Sequence, residues 1–279
     1  MNLLAKALIG AGVLALAKGL DNRIEITQYE PEFYSLPKEF DGFRIVHISD
    51  LHSDTAPGLR NEILSLEPDI IVITGDMIHD NDKSFLPTVR LIKQLRNIAP
   101  LYMVSGNHDL WNTRFDEFIR LCEESGAIFM DNKFLPLKHK GGEIGLFGIA
   151  DPFSKATDTI VKNLDEFFSK LPEYDGFKLL LFHRANQFDR IKGKDFDLIL
   201  AGHMHGGQFR IPGIGGLMPP KSSLADSKQI IFPTYCSGVF VHQNTTMIVN
   251  RGLGNPMIIP RLYNRPEIGI TVLRCAESC

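Results

Sequence analysis

From Phe43 onward the chain alternates between short apolar runs and stretches in which apolar residues recur every three or four positions. The runs are FRIVHIS (43–49), DIIVITG (69–75), LYMVSG (101–106), FKLLLFH (177–183) and FDLILAG (196–202). They are short, apolar and mostly rich in β-branched residues, which predicts buried strands. Helical spacing falls near 58–66, 84–97, 113–124 and 157–170, with a further helix between 183 and 196. Pro87 fits only the first turn of the second helix. Thr113 opens the third, and Gly126 follows its end. Short strands are expected at 127–130, 134–138, 143–149, 230–232, 236–241, 245–250 and 267–273, with Lys140-Gly141-Gly142 as a hairpin turn. The Gly- and Pro-rich stretch 212–228 reads as an ordered loop or cap. The order βαβαβ followed by a strand-rich segment predicts one α/β domain over 40–279, with two sheets sandwiched between helices. Residues 21–39 read as a linker and incoming strand, punctuated by Pro31 and Pro37.

The N-terminus breaks this pattern. Residues 7–17 (ALIGAGVLALA) carry no charge and are bracketed by Lys6 and Lys18. A spanning helix needs about 20 mostly apolar residues, a length reached here only if both lysine stems snorkel. Three readings of residues 1–20 compete: a short membrane anchor, a signal peptide cleaved after Ala15-Leu16-Ala17, or a helix docked on the domain or on a bilayer surface. Membrane association through residues 3–20 is the expectation. Its side is open, because positive charge flanks the run at both ends. Export after cleavage near Ala17 and a cytoplasmic location are the alternatives.

Composition changes little. The 279 residues are 44% hydrophobic and 23% charged, with net charge −3, which are ordinary globular values. The basic footprint of a nucleic-acid binder is missing. Cys122, Cys236, Cys275 and Cys279 form no CxxC pair, which disfavours a zinc ribbon or redox motif. Cys275 and Cys279 fall in a tail expected to fray.

The candidate chemistry sits just past strand ends. Asp50-Leu51-His52 follows the first run, Gly75-Asp76 the second, and Gly106-Asn107-His108-Asp109 the third; His183 ends the fourth, and Gly202-His203-Met204-His205 follows the fifth. Ligands of open α/β sheets bind outside the carboxyl ends of strands, so five distant segments converge on one crevice. Asp50 and His52 are two apart, as are His203 and His205, so in extended backbone each pair points one way and can chelate together. Asp76 offers two carboxylate oxygens and can bridge two ions. Asn107 offers an amide oxygen. Imidazole with carboxylate suits Mn²⁺, Fe²⁺/Fe³⁺ or Zn²⁺ better than Ca²⁺, and no thiolate takes part. His47, His79, His139 and His242 fall outside this set as structural or surface residues, though His79 and Asp80 lie close enough to Asp76 to line the pocket.

These motifs, DxH, GD, GNHD, a lone His and GHxH, resemble the signature of the calcineurin-like metallophosphoesterase superfamily over about residues 40–275. The stretches HISDLH (47–52), GHMHGGQFRIP (202–212), YCSGVF (235–240) and RGLGNP…PRLYNRPEI (251–268) are similar to a membrane-associated bacterial branch related to UDP-2,3-diacylglucosamine pyrophosphatase-type phosphodiesterases. The resemblance implies a four-layer α/β/β/α sandwich and two divalent metal ions. One ion would lie on Asp50, His52, Asp76 and His205. The other would lie on Asp76, Asn107, His183 and His203. His108 would be the proton donor, with Asp109 orienting its ring. Two cations about 3.5–4 Å apart activate water and neutralise phosphoryl charge. A local departure is Arg184-Ala185-Asn186 after His183, where relatives often carry a proline.

The expected activity is therefore hydrolysis of a small or lipid-linked phosphodiester, in the extreme a UDP-diacylglucosamine-like envelope lipid. Arg184, Arg210 and Arg251 are candidates for a second phosphate, and the apolar loop at 212–220 for a lipid tail. The alternatives are a nuclease or cyclic-nucleotide phosphodiesterase on the same site, against which the acidic balance argues, and a non-catalytic scaffold, against which the intact ligand set argues.

Overall fold

Two six-stranded sheets lie face to face in the protein, which a computed structural model describes over residues 3–154, 159–160, 164–220, 229, 231–257 and 259–276. The strands of these sheets are β1 (Glu25–Tyr29), β2 (Arg44–Ile48), β3 (Ile70–Thr74), β4 (Leu101–Val104), β5 (Ile128–Phe129), β6 (Lys133–His139), β7 (Gly142–Ile149), β8 (Lys178–Arg184), β9 (Leu198–Gly202), β10 (Gly238–His242), β11 (Thr245–Val249) and β12 (Glu267–Val272). The first sheet runs β1-β12-β2-β3-β4-β5 and the second β10-β11-β9-β8-β7-β6. Strands β2 to β5 are mutually parallel, as are β7, β8, β9 and β11.

Both faces of each sheet are covered. Ile70 and Val72 face the core between the sheets, as do Leu179 and Leu181; Ile71 and Ile73 face an outer core, and Leu180 and Phe182 the opposite outer core. The first outer core is closed by α2 (Leu59–Ser65) through Leu59 and Ile63, by α3 (Leu86–Arg96) through Ile92 and Leu95, and by α5 (Phe115–Glu124) through Phe118 and Cys122. The second is closed by Leu164 of α6 (Leu164–Ser169) and by Phe188 and Ile191 of α7 (Phe188–Ile191). A strand buried on both faces has no polar side to show, which is why these segments read as unbroken apolar runs. Each fully buried Ile or Leu contributes roughly 1.5–3 kcal/mol. The result is the four-layer α/β/β/α sandwich.

Several sequence expectations change. Within residues 21–39 the incoming strand is there as β1, paired parallel with β12, but the rest is no free linker: Phe33 and Leu36 are buried in the central core. The GNHD stretch is itself a short helix, α4 (Asn107–Trp111), so the next helix starts at Phe115 and not at Thr113. Cys275 does not fray, for it pairs with Phe33 and its N–H donates to Asp41; Cys279 lies outside the described residues. Residues 159–160 pair with 153–154 as a small ribbon, and only 164–169 of the expected helix 157–170 is described as helical. Residues 155–158, 161–163, 221–228 and 230 lie outside the described residues, which removes part of that helix, of the 212–228 loop and of the 230–232 strand; Ile231 and Phe232 form a bend. The hairpin turn expected at Lys140-Gly141-Gly142 is there but one residue shorter: Lys140 and Gly141, with φ of 48° and 93°, form it, and Gly142 pairs with His139 as the start of β7.

A helix α1 (Leu3–Gly19) precedes the sandwich. Among the described residues, no helix is long and apolar enough to cross a membrane.

Candidate metal centre

The parallel strands deliver their C-terminal ends to one edge, where the two sheets exchange hydrogen bonds. Both Asp50 carboxylate oxygens, past β2, accept the backbone N–H of His203, past β9, at 3.2 and 3.0 Å. His183 Nδ1 lies 2.6 Å from Thr74 O at the end of β3. Such close approach excludes side chains at the crossing points. A Cβ on Gly106 would stand 2.2 Å from Asp76 Oδ1, and one on Gly202 2.0 Å from Ser49 Oγ. The glycines before Asn107 and His203 are thus required by packing. The backbone at the site is bent as well: Asp50, His52, Asp76, His203 and His205 all have φ between 47° and 75°. Left-handed backbone at non-glycine residues costs on the order of 1–3 kcal/mol each and gathers at functional sites.

Two groups of donor atoms that include carboxylates result, beside a third, of His52, His79 and His108, that has none. Asp50, His52, Asp76 and His205 have ligand atoms all within 4.8 Å of one another, and so do Asp76, His183 and His203. Asn107 Oδ1 joins the second group, 3.3 Å from His183 Nε2. Asp76 belongs to both. Its Oδ1 accepts the His108 N–H at 2.8 Å, while Oδ2 lies 3.3 Å from His183 Nε2 and 3.7 Å from His52 Nε2. Facing imidazole nitrogens stand 3.2 Å apart in both groups, His52 with His205 and His183 with His203.

The electrostatics fit cations. Burial pushes His52 down to about 3 and holds His203 and His205 well below the usual imidazole range, so these rings are neutral and offer lone pairs. Burial pushes Asp50 up to about 6. Burial also acts against the charged forms of Asp76 and His183. Their attraction outweighs it, with Asp76 held well below the carboxylate range and His183 raised to about 10 by Asp76, Asp50 and Asp151. A proton on His183 and a divalent cation compete for the same carboxylate, so a cation bound there expels the proton. Among the described residues the buried Asn107 Nδ2 and His52 Nδ1 have no hydrogen-bond partner, and the opposite atoms of both side chains, Asn107 Oδ1 and His52 Nε2, face the donor groups. The donor set fits two borderline divalent ions.

Both groups open onto a cavity of about 670 Å³. Asp76, His203 and His205 form its floor, His79, Asp80, His108 and Trp111 one wall, and Met218, Pro220, Pro256, Met257 and Ile259 an apolar wall. His108 Nδ1 lies 3.7 Å from Asp80 Oδ1, which also pairs with His79 Nδ1 at 2.5 Å. Burial lowers the proton affinity of His108, and Asp76 and Asp80 oppose that. In a larger cavity of about 830 Å³ beside Phe147 and Phe168, Lys178 and Lys194 are paired with Asp195 and Asp165, and none of the metal-ligand groups among the described residues lies there.

Five expectations are corrected. His203 and His205 do not chelate together from extended backbone: their φ angles are 75° and 47°, and they fall in different donor groups, whereas Asp50 and His52 share one. Asp109 does not orient the His108 ring: its carboxylate accepts the backbone N–H groups of Asp76, Ile78 and Gly106 at 2.8, 3.0 and 2.9 Å, binding the β3 and β4 exits together. None of the three arginines lines the cavity. Arg251 is tied to Glu267 and Glu25, and Arg210 to Gly206 O and Ser237. Arg184 is fully buried, with Nε on Asp151 at 2.7 Å and Nη1 3.2 Å from His203 Nε2, so it stands behind a candidate ligand. Sequence reasoning missed Arg261, which is buried with Nη2 3.4 Å from His205 Nδ1 and 2.6 Å from Gly254 O. It also missed Trp111 and the Pro256, Met257 and Ile259 part of the wall, whereas Met218 and Pro220 belong to the 212–220 loop assigned to a lipid tail. Trp111 was legible only with α4, which places it four residues after Asn107.

A four-layer sandwich that brings five strand-end motifs into two donor groups sharing one aspartate defines a metal-dependent phosphoric ester hydrolase. The chain belongs to the calcineurin-like phosphoesterase family, whose model matches residues 43–207. It is 30% identical to the uncharacterized metallophosphoesterase YkuE of Bacillus subtilis over 98% of this chain and 93% of that protein. It is 27% identical to YkoQ of the same organism, over 80% of this chain and 81% of that one. The phosphodiesterase YaeI of Escherichia coli is 26% identical over 81% of this chain and 80% of its own.

Proposed function

We propose that the protein is a dinuclear phosphodiesterase acting on a small or lipid-linked phosphodiester. The observation that carries this reading is the pair of donor groups joined at Asp76 beneath a half-apolar cavity. Asp50, His52, Asp76 and His205 would hold one divalent cation, and Asp76, Asn107, His183 and His203 the other. Bound there, the cations supply Lewis-acid activation of water and neutralisation of phosphoryl charge. The protein's own part begins with Asp76, whose Oδ1 is fixed by the His108 N–H so that Oδ2 faces both groups. His108, on the cavity wall with its ring one-fifth exposed, is the proton donor to the departing oxygen; burial lowers its proton affinity, and Asp76 and the nearby Asp80 work against that. The apolar wall receives the non-phosphate part of the ester. The E. coli relative's name, a phosphodiesterase, agrees with this choice over a monoesterase.

The test pairs metal analysis with turnover of bis-p-nitrophenyl phosphate and p-nitrophenyl phosphate in Mn²⁺. His108→Ala should lower diester turnover by about 10²–10⁴-fold with both ions retained. Asp76→Asn should lose both. Retention of two ions in the Asp76 variant, or preference for the monoester, would defeat the proposal.

A further inference from the structure

Helix α1 and the mouth of the cavity share one platform. Gly19 O accepts the Tyr263 N–H at 2.6 Å, and the Tyr263 hydroxyl donates to Ala15 O at 2.7 Å. The neighbouring Leu262 bonds to the next segment, with Arg210 N–H on Leu262 O at 2.9 Å. From there Leu217 N–H reaches Phe209 O at 2.7 Å and Phe232 N–H reaches Leu217 O at 3.1 Å. This ladder runs from α1 through the segment that carries His205 and Gln208, and it ends beside Met218 on the cavity wall.

The ladder and the helix are studded with exposed apolar side chains. Val13, Leu14 and Leu16 of α1 are 62%, 72% and 55% exposed, and Ile214 and Ile231 on the ladder are 69% and 60% exposed. Ile259, on the cavity rim, is 39% exposed. Scattered single residues would need no explanation; these lie on α1 and on segments that the ladder ties to it, and exposed apolar residues gathered on joined segments mark a contact surface. The character of α1 selects the occupant. A protein groove takes one apolar face of a helix. Residues 10–18 are all exposed, and residues 7–17 contain no charge on any face. Hydrocarbon wets every face alike, which a folded partner does not. The charge points the same way: residues 1–24 hold Lys6, Lys18 and Arg23 against Asp21, and although Asp21 pairs with Arg23 and Arg265, the two lysines that bracket the apolar run leave this end net positive. Basic residues beside an anionic bilayer contribute about 1 kcal/mol each.

We infer that the protein docks on an anionic lipid bilayer through α1 and the 209–217 and 231–232 segments together, so that the cavity opens at the membrane surface. The consequence, access to phosphodiesters carried by lipids, rests on the phosphodiesterase reading; the docking itself does not.

The full-length chain is sedimented with phosphatidylcholine vesicles with and without phosphatidylglycerol, alongside a variant carrying Ile214→Asp and Ile231→Asp. Both residues lie outside the cavity. The wild type should pellet with the phosphatidylglycerol vesicles. The variant should bind at least about tenfold more weakly and hydrolyse a vesicle-borne phosphodiester about tenfold more slowly. Its turnover of soluble bis-p-nitrophenyl phosphate should equal the wild type's, which also reports correct folding. A wild type that stays in the supernatant, or a variant that binds and hydrolyses as the wild type does, overturns the inference. So does a wild type that ignores vesicles and forms dimers which the variant abolishes, since the patch is then a contact between copies. If the soluble diester is not hydrolysed even with Mn²⁺, the phosphodiesterase reading falls, and vesicle binding alone decides the docking.

Discussion

Asp109 illustrates what single residues carry at this site. Its carboxylate is fully buried and accepts three backbone N–H groups from the exits of β3 and β4. Asp109→Ala leaves those three donors buried without an acceptor, which costs on the order of 3 kcal/mol or more. Urea denaturation with metal chelated should show that loss. A role confined to orienting His108 would lower turnover and leave stability untouched, so a loss below about 1 kcal/mol would rule out the structural role. The ligand residues were legible one by one because DxH, GD, GNHD and GHxH are compact in sequence. The partners of Asp109 were not, because two of the three lie more than thirty residues away and a backbone N–H leaves no mark in the sequence. Arg251 and Arg210 show the converse. An arginine near a motif looks the same in sequence whether it faces a phosphate or a buried glutamate.

At the scale of elements, the five apolar runs announced their strands because each is covered on both faces. Helix α4 went unread because NHDLW is five residues long and mostly polar, with no periodicity to detect. The site is built where β2 and β9 leave their sheets side by side. A Cβ at Gly202 would lie 2.0 Å from Ser49 Oγ and 2.5 Å from Asp50 Oδ2. Gly202→Ala must therefore displace Asp50 or part the strands. It should lose the ion assigned to Asp50 and His205, and at least about 100-fold in turnover, as small misplacements in preorganised sites do. Gly193→Ala, where nothing lies within 4 Å, is the control and should match the wild type. Equal metal content in the two variants would contradict the close-packing account of the GH motif.

Across the whole molecule, the chain passes from the first sheet to the second between β5 and β6, and Asp131 sits at that crossing. Its carboxylate accepts the N–H and the hydroxyl of Ser105 at 2.8 and 2.6 Å. Burial, with help from Asp151, raises it to about 6 against the bonds from Ser105. A carboxyl whose folded pKa is raised holds its proton in the folded state while the unfolded chain has released it. Its contribution to stability is therefore greatest below about pH 4 and is lost as pH rises through about 6. Asp131→Asn should remove that loss, so the stability difference between variant and wild type should shift in the variant's favour by about 1–2 kcal/mol from pH 4 to pH 7. Melting curves across that range measure it, and a pH-independent difference would exclude the crossing as a titrating point.

The sequence alone marked the five long strands, the two-sheet layering and the donor residues, because burial on both faces and compact motifs are local properties written in consecutive residues; it did not determine the pairing of donors, since His203 and His205, two apart, fall in different groups. It also marked α1 as apolar. Tertiary structure decided which donors meet, that Asp76 presents one oxygen to both groups, that Asp109 braces backbone and not a ring, and that three candidate arginines are spent on structural contacts. It also placed α1 on the platform that carries His205. These are relations between segments up to about 250 residues apart, set by strand order and by the few ångströms between strand exits, and no local pattern encodes them.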